Sequence, residues 1–178
     1  MENKKSIFWK SAVINGAIFG GILIAWSIVT YVLNITFEKW IQYVSYAIMI
    51  GAIVYLIIEY RKQLPGKGIT YSHALGYGVA ITAVAATLSA IYSYLLFAVI
   101  DPDLISQIVA KSEEQMLGQG LTEEQVEQAL EMQKGFMSPA FISLVSIPAS
   151  VFFGFIISLI AAIFLKKEST ESPFDSSL

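Results

Sequence analysis

Four long stretches of this chain contain no Asp, Glu, Lys or Arg: Ser11 to Phe37, Trp40 to Ile58, His73 to Ile100 and Gly135 to Leu165. Each can supply the roughly 20 apolar residues that cross a hydrocarbon core of about 30 Å. A water-solvated domain of 178 residues could not hide four such runs. Hydrophobic residues make up 56% of the chain and charged ones only 14%, with a mean hydropathy of +0.65. The charges cluster between the runs, as they must where no water reaches the chain in between. The expectation is an all-α polytopic membrane protein, one membrane domain over residues 1–178. Its transmembrane helices are expected near Ala12 to Leu33, Trp40 to Ile58, Ala74 to Ile100 and Phe141 to Leu165. Lys4, Lys5 and Lys10 precede the first run in the manner of a signal peptide. That run is too long, and no small-x-small cleavage site follows, so the segment reads as a retained helix.

Orientation follows from the basic residues. Lys4, Lys5, Lys10, Arg61, Lys62, Lys67, Lys166 and Lys167 fall on one side of the expected bundle, whereas only Lys39, Lys111 and Lys134 fall on the other. By the positive-inside rule the side with eight is cytoplasmic, which puts both termini there. Trp9, Tyr60, Tyr71 and Phe164 then belong to an inner aromatic belt, and Trp40, Tyr94, Phe97, Phe136 and Phe141 to an outer one.

Local signals agree at the helix ends. Asp101-Pro102 reads as an N-cap followed by proline at the first helical position, and Ser138-Pro139 repeats the pattern before the fourth span. Leu64-Pro65-Gly66 reads as a turn. Pro148 is expected to bend the fourth span by leaving the Leu144 carbonyl without its partner. Small residues recur every four positions at Ala12, Gly16 and Gly20, from Ala74 through Gly78 and Thr82 to Ala90, and from Ser146 through Gly154 to Ala162. Such stripes let backbones approach closely; packing within the bundle is the plain reading and homo-oligomerisation the alternative.

Between the third and fourth spans, residues 101–139 carry eight carboxylates against Lys111 and Lys134, a net −6, and the rest of the chain is positive. Ile105, Ile108, Val109, Ser112 and Met116 recur at helical spacing, as do Val126, Ala129, Leu130, Gln133 and Met137. Gly118 and Gly120 interrupt the two runs, and Thr122 with Gln125 forms a capping box for the second. The expectation is an extramembrane hairpin of two amphipathic helices. Glu124, Glu127 and Glu131 share a face, and a divalent ion would relieve their repulsion; a solvated face is the plain reading, because the spacing matches no EF-hand loop.

Chemistry is harder to find. The chain has no cysteine, so disulfides, thiolate ligands and thiol nucleophiles are absent. It has no hydrolase elbow, HExxH or phosphate loop, and no basic patch for nucleic acid. No catalytic, cofactor-binding or metal-binding residue is assigned. The expected spans contain no charged residue of the kind that ion-coupled transporters carry. His73, at the cytoplasmic mouth of the third span, reads as an interfacial hydrogen-bonding side chain. Asn15, Asn34, Gln42, Thr82, Thr87, Ser89 and Ser93 read as interhelical hydrogen-bonding groups.

Four segments together resemble a known family. They are Gly68-Ile69-Thr70-Tyr71-Ser72-His73-Ala74-Leu75-Gly76-Tyr77-Gly78, Asp101-Pro102-Asp103, Met137-Ser138-Pro139, and the ending from Ile160 to Lys167. On these the chain resembles domain-of-unknown-function family 4199, with His73 where a glutamine-like residue would be expected. The resemblance implies a bacterial multi-pass inner-membrane protein, and hence a periplasmic acidic hairpin; it implies no activity. The functional expectation is a non-enzymatic scaffold or accessory subunit. Its partners would be the lipid bilayer, a protein at the hairpin and, through the small-residue stripes, a second copy. The alternative is a transport or permeation unit, built as an oligomer around Thr82, Ser89, Ser93 and Ser150.

Overall fold

The computed structural model describes residues 2–64 and 68–166. Lys67, Lys167, part of the expected Leu64-Pro65-Gly66 turn and the side chains of Lys4 and Lys5 lie outside the described residues. Among the described residues every element is a helix: α1 (Glu2–Val32), α2 (Lys39–Gln63), α3 (Tyr71–Leu95), α4 (Leu104–Gly118), α5 (Glu123–Lys134) and α6 (Pro139–Leu165). Four of these, α1, α2, α3 with the turn that follows it, and α6, are long and apolar enough to cross a membrane. Only 22% of each apolar window is buried inside the protein. Rows of exposed side chains such as Ile14, Ile18 and Ile22 on α1 and Phe152, Phe153 and Ile156 on α6 need a hydrocarbon solvent.

The helices overrun the expected spans. α1 starts at Glu2 rather than near Ala12, and its 31 residues rise about 46 Å at 1.5 Å each, well beyond the hydrocarbon core. α2 continues past Ile58 to Gln63 and carries Glu59, which pairs with Lys62 at 2.9 Å one turn on. Hydrophobicity marks the apolar part of a helix, whereas hydrogen bonding carries the helix on into polar sequence.

α3 is the centre of the bundle, packed along α1 on one side and α6 on the other, with α2 against all three. The small-residue stripes make these contacts. A Cβ added at Gly16 would stand 2.6 Å from the Val84 Cβ and 2.9 Å from the Ile81 carbonyl oxygen, so α1 and α3 approach as only glycine permits. Between α3 and α6 the fit is reciprocal: Gly78 receives Ser158, and Gly154 receives Thr82. The stripes are therefore occupied within a single chain. The bulkier core, Phe19, Ile53, Ile57 and Ile81, is fully buried around them. Pro148 lies inside an unbroken α6.

The starts of α1 and α3 and the ends of α2 and α6 meet at one end of the bundle, here the near end, where Arg61 Nη1 donates to the Leu165 carbonyl at 3.1 Å. At the far end Tyr31 of α1 donates to Asp101, just beyond α3, at 3.0 Å. That bond accompanies a departure from the expected capping. Asp101 does not cap α4, whose N-cap is Asp103 with no side-chain cap bond and whose first residue is Leu104. The carboxylate is taken by Tyr31 instead. α3 ends in a π-helical turn, Leu96–Ile100, closed by the Asp101 amide on the Leu96 carbonyl at 2.8 Å.

The signals at Ser138, Thr122 and Gly120 match. Ser138 caps α6 by accepting from the Phe141 amide at 3.2 Å, with Pro139 in the first turn. Thr122 and Gln125 form a reciprocal capping box on α5. α4 stops in a Schellman motif, with Leu121 N–H on the Met116 carbonyl and Gly120 N–H on the Leu117 carbonyl. Gly120 sits at φ +89°, where a side chain would be strained.

Candidate functional site

Polar groups gather in three places. At the near end Tyr60 of α2 and Tyr77 of α3, both fully buried, stack with ring centroids 3.8 Å apart and planes 7° from parallel. Phe8 meets both rings and the His73 imidazole edge-on. Asn15 Nδ2 donates to the Tyr77 hydroxyl at 2.6 Å, Ser11 Oγ bonds it at 2.9 Å, and His73 Nε2 lies 3.2 Å from the Tyr60 hydroxyl. Every hydroxyl here has a partner, so the cluster acts as a clamp that joins α1, α2 and α3. One sequence expectation changes: Tyr60 is a core residue rather than a member of the inner belt. His73 is exposed at the start of α3, an interfacial hydrogen-bonding side chain as expected, with the Tyr60 hydroxyl as its partner. The sequence carries a signal for Tyr77: a large hydroxyl-bearing side chain between Ala74 and Gly78, two small residues of one stripe, calls for a hydrogen-bonding partner on a neighbouring helix.

The remaining polar span residues divide. Asn15 bridges helices as expected, whereas Thr82 and Thr87 donate back to carbonyls of their own helix, Gly78 and Ala83, at 2.8 Å each. Ser89 Oγ has no hydrogen-bond partner among the described residues.

At the far end a polar recess of about 290 Å³ is bounded by the α1–α2 connection, the end of the π-turn and the start of α4. Tyr31, Asn34, Thr36 and Gln107 contribute its polar groups, Asp101 its carboxylate, and Val32, Phe37 and Leu104 its apolar walls.

The third place is a groove of about 460 Å³ between α4 and α5. Val109 and Leu117 on one side and Val126, Leu130 and Met137 on the other give it an apolar floor, with Glu113, Glu123, Glu127, Gln133 and Lys134 also lining it. The floor draws on the expected apolar faces of both helices. Outside the groove, Lys111 and Glu114 pair at 2.7 Å on an exposed face of α4. Their hydrogen bond, reinforced by the charges themselves, lowers the Glu114 pKa and raises that of Lys111. Glu124, Glu127 and Glu131 are exposed, and no group of three or more His, Asp or Glu side chains converges as a metal site among the described residues.

Four crossing-length helices, α3 closely packed among the other three, define a multi-pass membrane protein. Within that class, residues 14–167 match the family described as a protein of unknown function, DUF4199, and the chain belongs to it. No curated protein and no solved structure matches the chain.

Proposed function

We propose that this is a non-enzymatic scaffold or accessory subunit of a bacterial inner membrane, with both termini cytoplasmic and α4 and α5 forming a periplasmic hairpin that holds a protein partner. The groove between α4 and α5 carries the reading. Its floor is apolar and three carboxylates face one lysine around it, so the partner it suits presents apolar side chains flanked by Lys or Arg. The bundle itself supports a structural role. Thr82, which would line a conduit, is buried against Gly154, and the small-residue stripes are used for packing.

Affinity purification in mild detergent tests the proposal with three forms of the protein: wild type, a deletion of Ile105 to Met132, and the double variant Leu117→Asp/Leu130→Asp. Both residues line the groove, and Leu117 is exposed, so the double variant should fold while losing the partner. Unchanged copurifying proteins from all three would remove α4 and α5 from the function. Flux of ions or small solutes through proteoliposomes of the purified chain would favour the transport alternative.

A further inference from the structure

We propose that the far-end recess is a binding site for a primary ammonium group of the ethanolamine type, held by Asp101. The inference is independent of the α4–α5 groove.

Charge comes first. Asp101 is half-buried just past the end of a membrane-spanning helix, where a partly desolvated carboxylate gains from a counter-charge. Among the described residues it forms no ion pair, and its one side-chain hydrogen bond is the Tyr31 hydroxyl on Oδ2. The recess is lined by one negative charge and no positive one, so a monocation completes it.

Shape and donor chemistry narrow the cation. At about 290 Å³ the recess is far roomier than a bare metal ion needs, and Ca²⁺ would want 6–8 oxygens with more than one carboxylate. The amide oxygens of Asn34 and Gln107 and the hydroxyl of Thr36 can accept the N–H bonds that Asp101 leaves over. A quaternary ammonium has no N–H to give and is recognised by aromatic cages, whereas the aromatic lining here is Tyr31 and Phe37.

The backbone is arranged to present these groups. The π-turn at Leu96–Ile100 sets where Asp101 emerges from α3. Asn34 ends α1 in a Schellman motif, with Ile35 N–H on the Thr30 carbonyl and Asn34 N–H on the Tyr31 carbonyl, both at 3.0 Å. It does so at φ +55°, the one non-glycine residue with positive φ among those described. Glycine would adopt this conformation at lower cost; asparagine adds an amide that lines the recess. Leu33, Val99 and Ile100, beside these residues in sequence, are exposed and apolar, as suits acyl chains below a bound headgroup.

Native mass spectrometry of the full-length protein in detergent, supplied with phosphatidylethanolamine, phosphatidylcholine or phosphatidylglycerol, is the test. Wild type should retain the ethanolamine lipid about tenfold more strongly than the other two, and Asp101→Asn should abolish the preference. Asn34→Gly, which keeps the turn, should weaken it. A parallel thermal-unfolding series with free ethanolamine separates the sources: stabilisation that requires Asp101 assigns the site to soluble amines as well as to the lipid. Equal retention of the three lipids, with no stabilisation by free ethanolamine, overturns the proposal. So does a preference that survives Asp101→Asn. Should that variant fail to fold, Gln107→Leu, at an exposed position, is read in its place and should weaken the preference as Asn34→Gly does; a preference unchanged by both overturns the proposal.

Discussion

Individual glycines separate close packing from mere flexibility. Gly16 and Gly21 lie on the same helix, but a Cβ at Gly16 would collide with α3, whereas at Gly21 nothing lies within 4 Å. Gly16→Ala should therefore destabilise the bundle by about 1–3 kcal/mol, as overpacking does. Gly21→Ala should be neutral or stabilising by up to about 1 kcal/mol through helix propensity. Denaturant unfolding of both variants in one detergent checks the contrast, and equal losses would mean that α1 does not meet α3 as described. Spacing alone identified Gly16 and Gly20 as a stripe and left Gly21 out, because periodicity on one helix is written locally. The Tyr60–Tyr77 stack was not legible in the same way. It depends on which faces of α2 and α3 meet, and periodicity on one helix does not specify that.

Among elements, those whose ends are decided by neighbours in sequence were readable. The capping box at Thr122, the Ser138 cap and the Gly120 stop each involve residues within a turn or two. Asp101 failed the same reading because its carboxylate is claimed by Tyr31, seventy positions away. The far-end recess was illegible for a related reason, since three separate segments contribute its lining. α4 offers a test at this scale. The lowered Glu114 pKa means the pair adds stability above the ordinary carboxyl value of 4.5, lost as pH falls through the lowered folded value. The raised Lys111 pKa means that stability persists below the ordinary 10.5 and is lost as pH rises through the raised folded value. The effect is small, because both side chains stand in solvent. The Glu114 carboxyl, followed by NMR, should titrate below the usual range, and Lys111→Gln should restore it; no change on substitution would show that the pair does not form in solution.

At the scale of the whole molecule, hydropathy foretold four crossing helices, and the packed structure adds what pattern alone could not: α3 at the centre, with two stripes of small residues spent against it. The near end carries Lys10, Arg61 and Lys62, and beyond the far end come the acidic α4 and α5. This asymmetry underlies both the proposed orientation and the proposed partner surface. The chain has no cysteine, so single cysteines can report sidedness against a blank background. Gln63, at the near end, and Gln119, between α4 and α5, are both exposed. In intact cells with a permeable outer membrane, a membrane-impermeant maleimide should label Gln119→Cys and leave Gln63→Cys unlabelled until the inner membrane is opened. Labelling of Gln63→Cys in intact cells with Gln119→Cys protected would reverse the orientation, and labelling of both would contradict the four-span membrane topology itself.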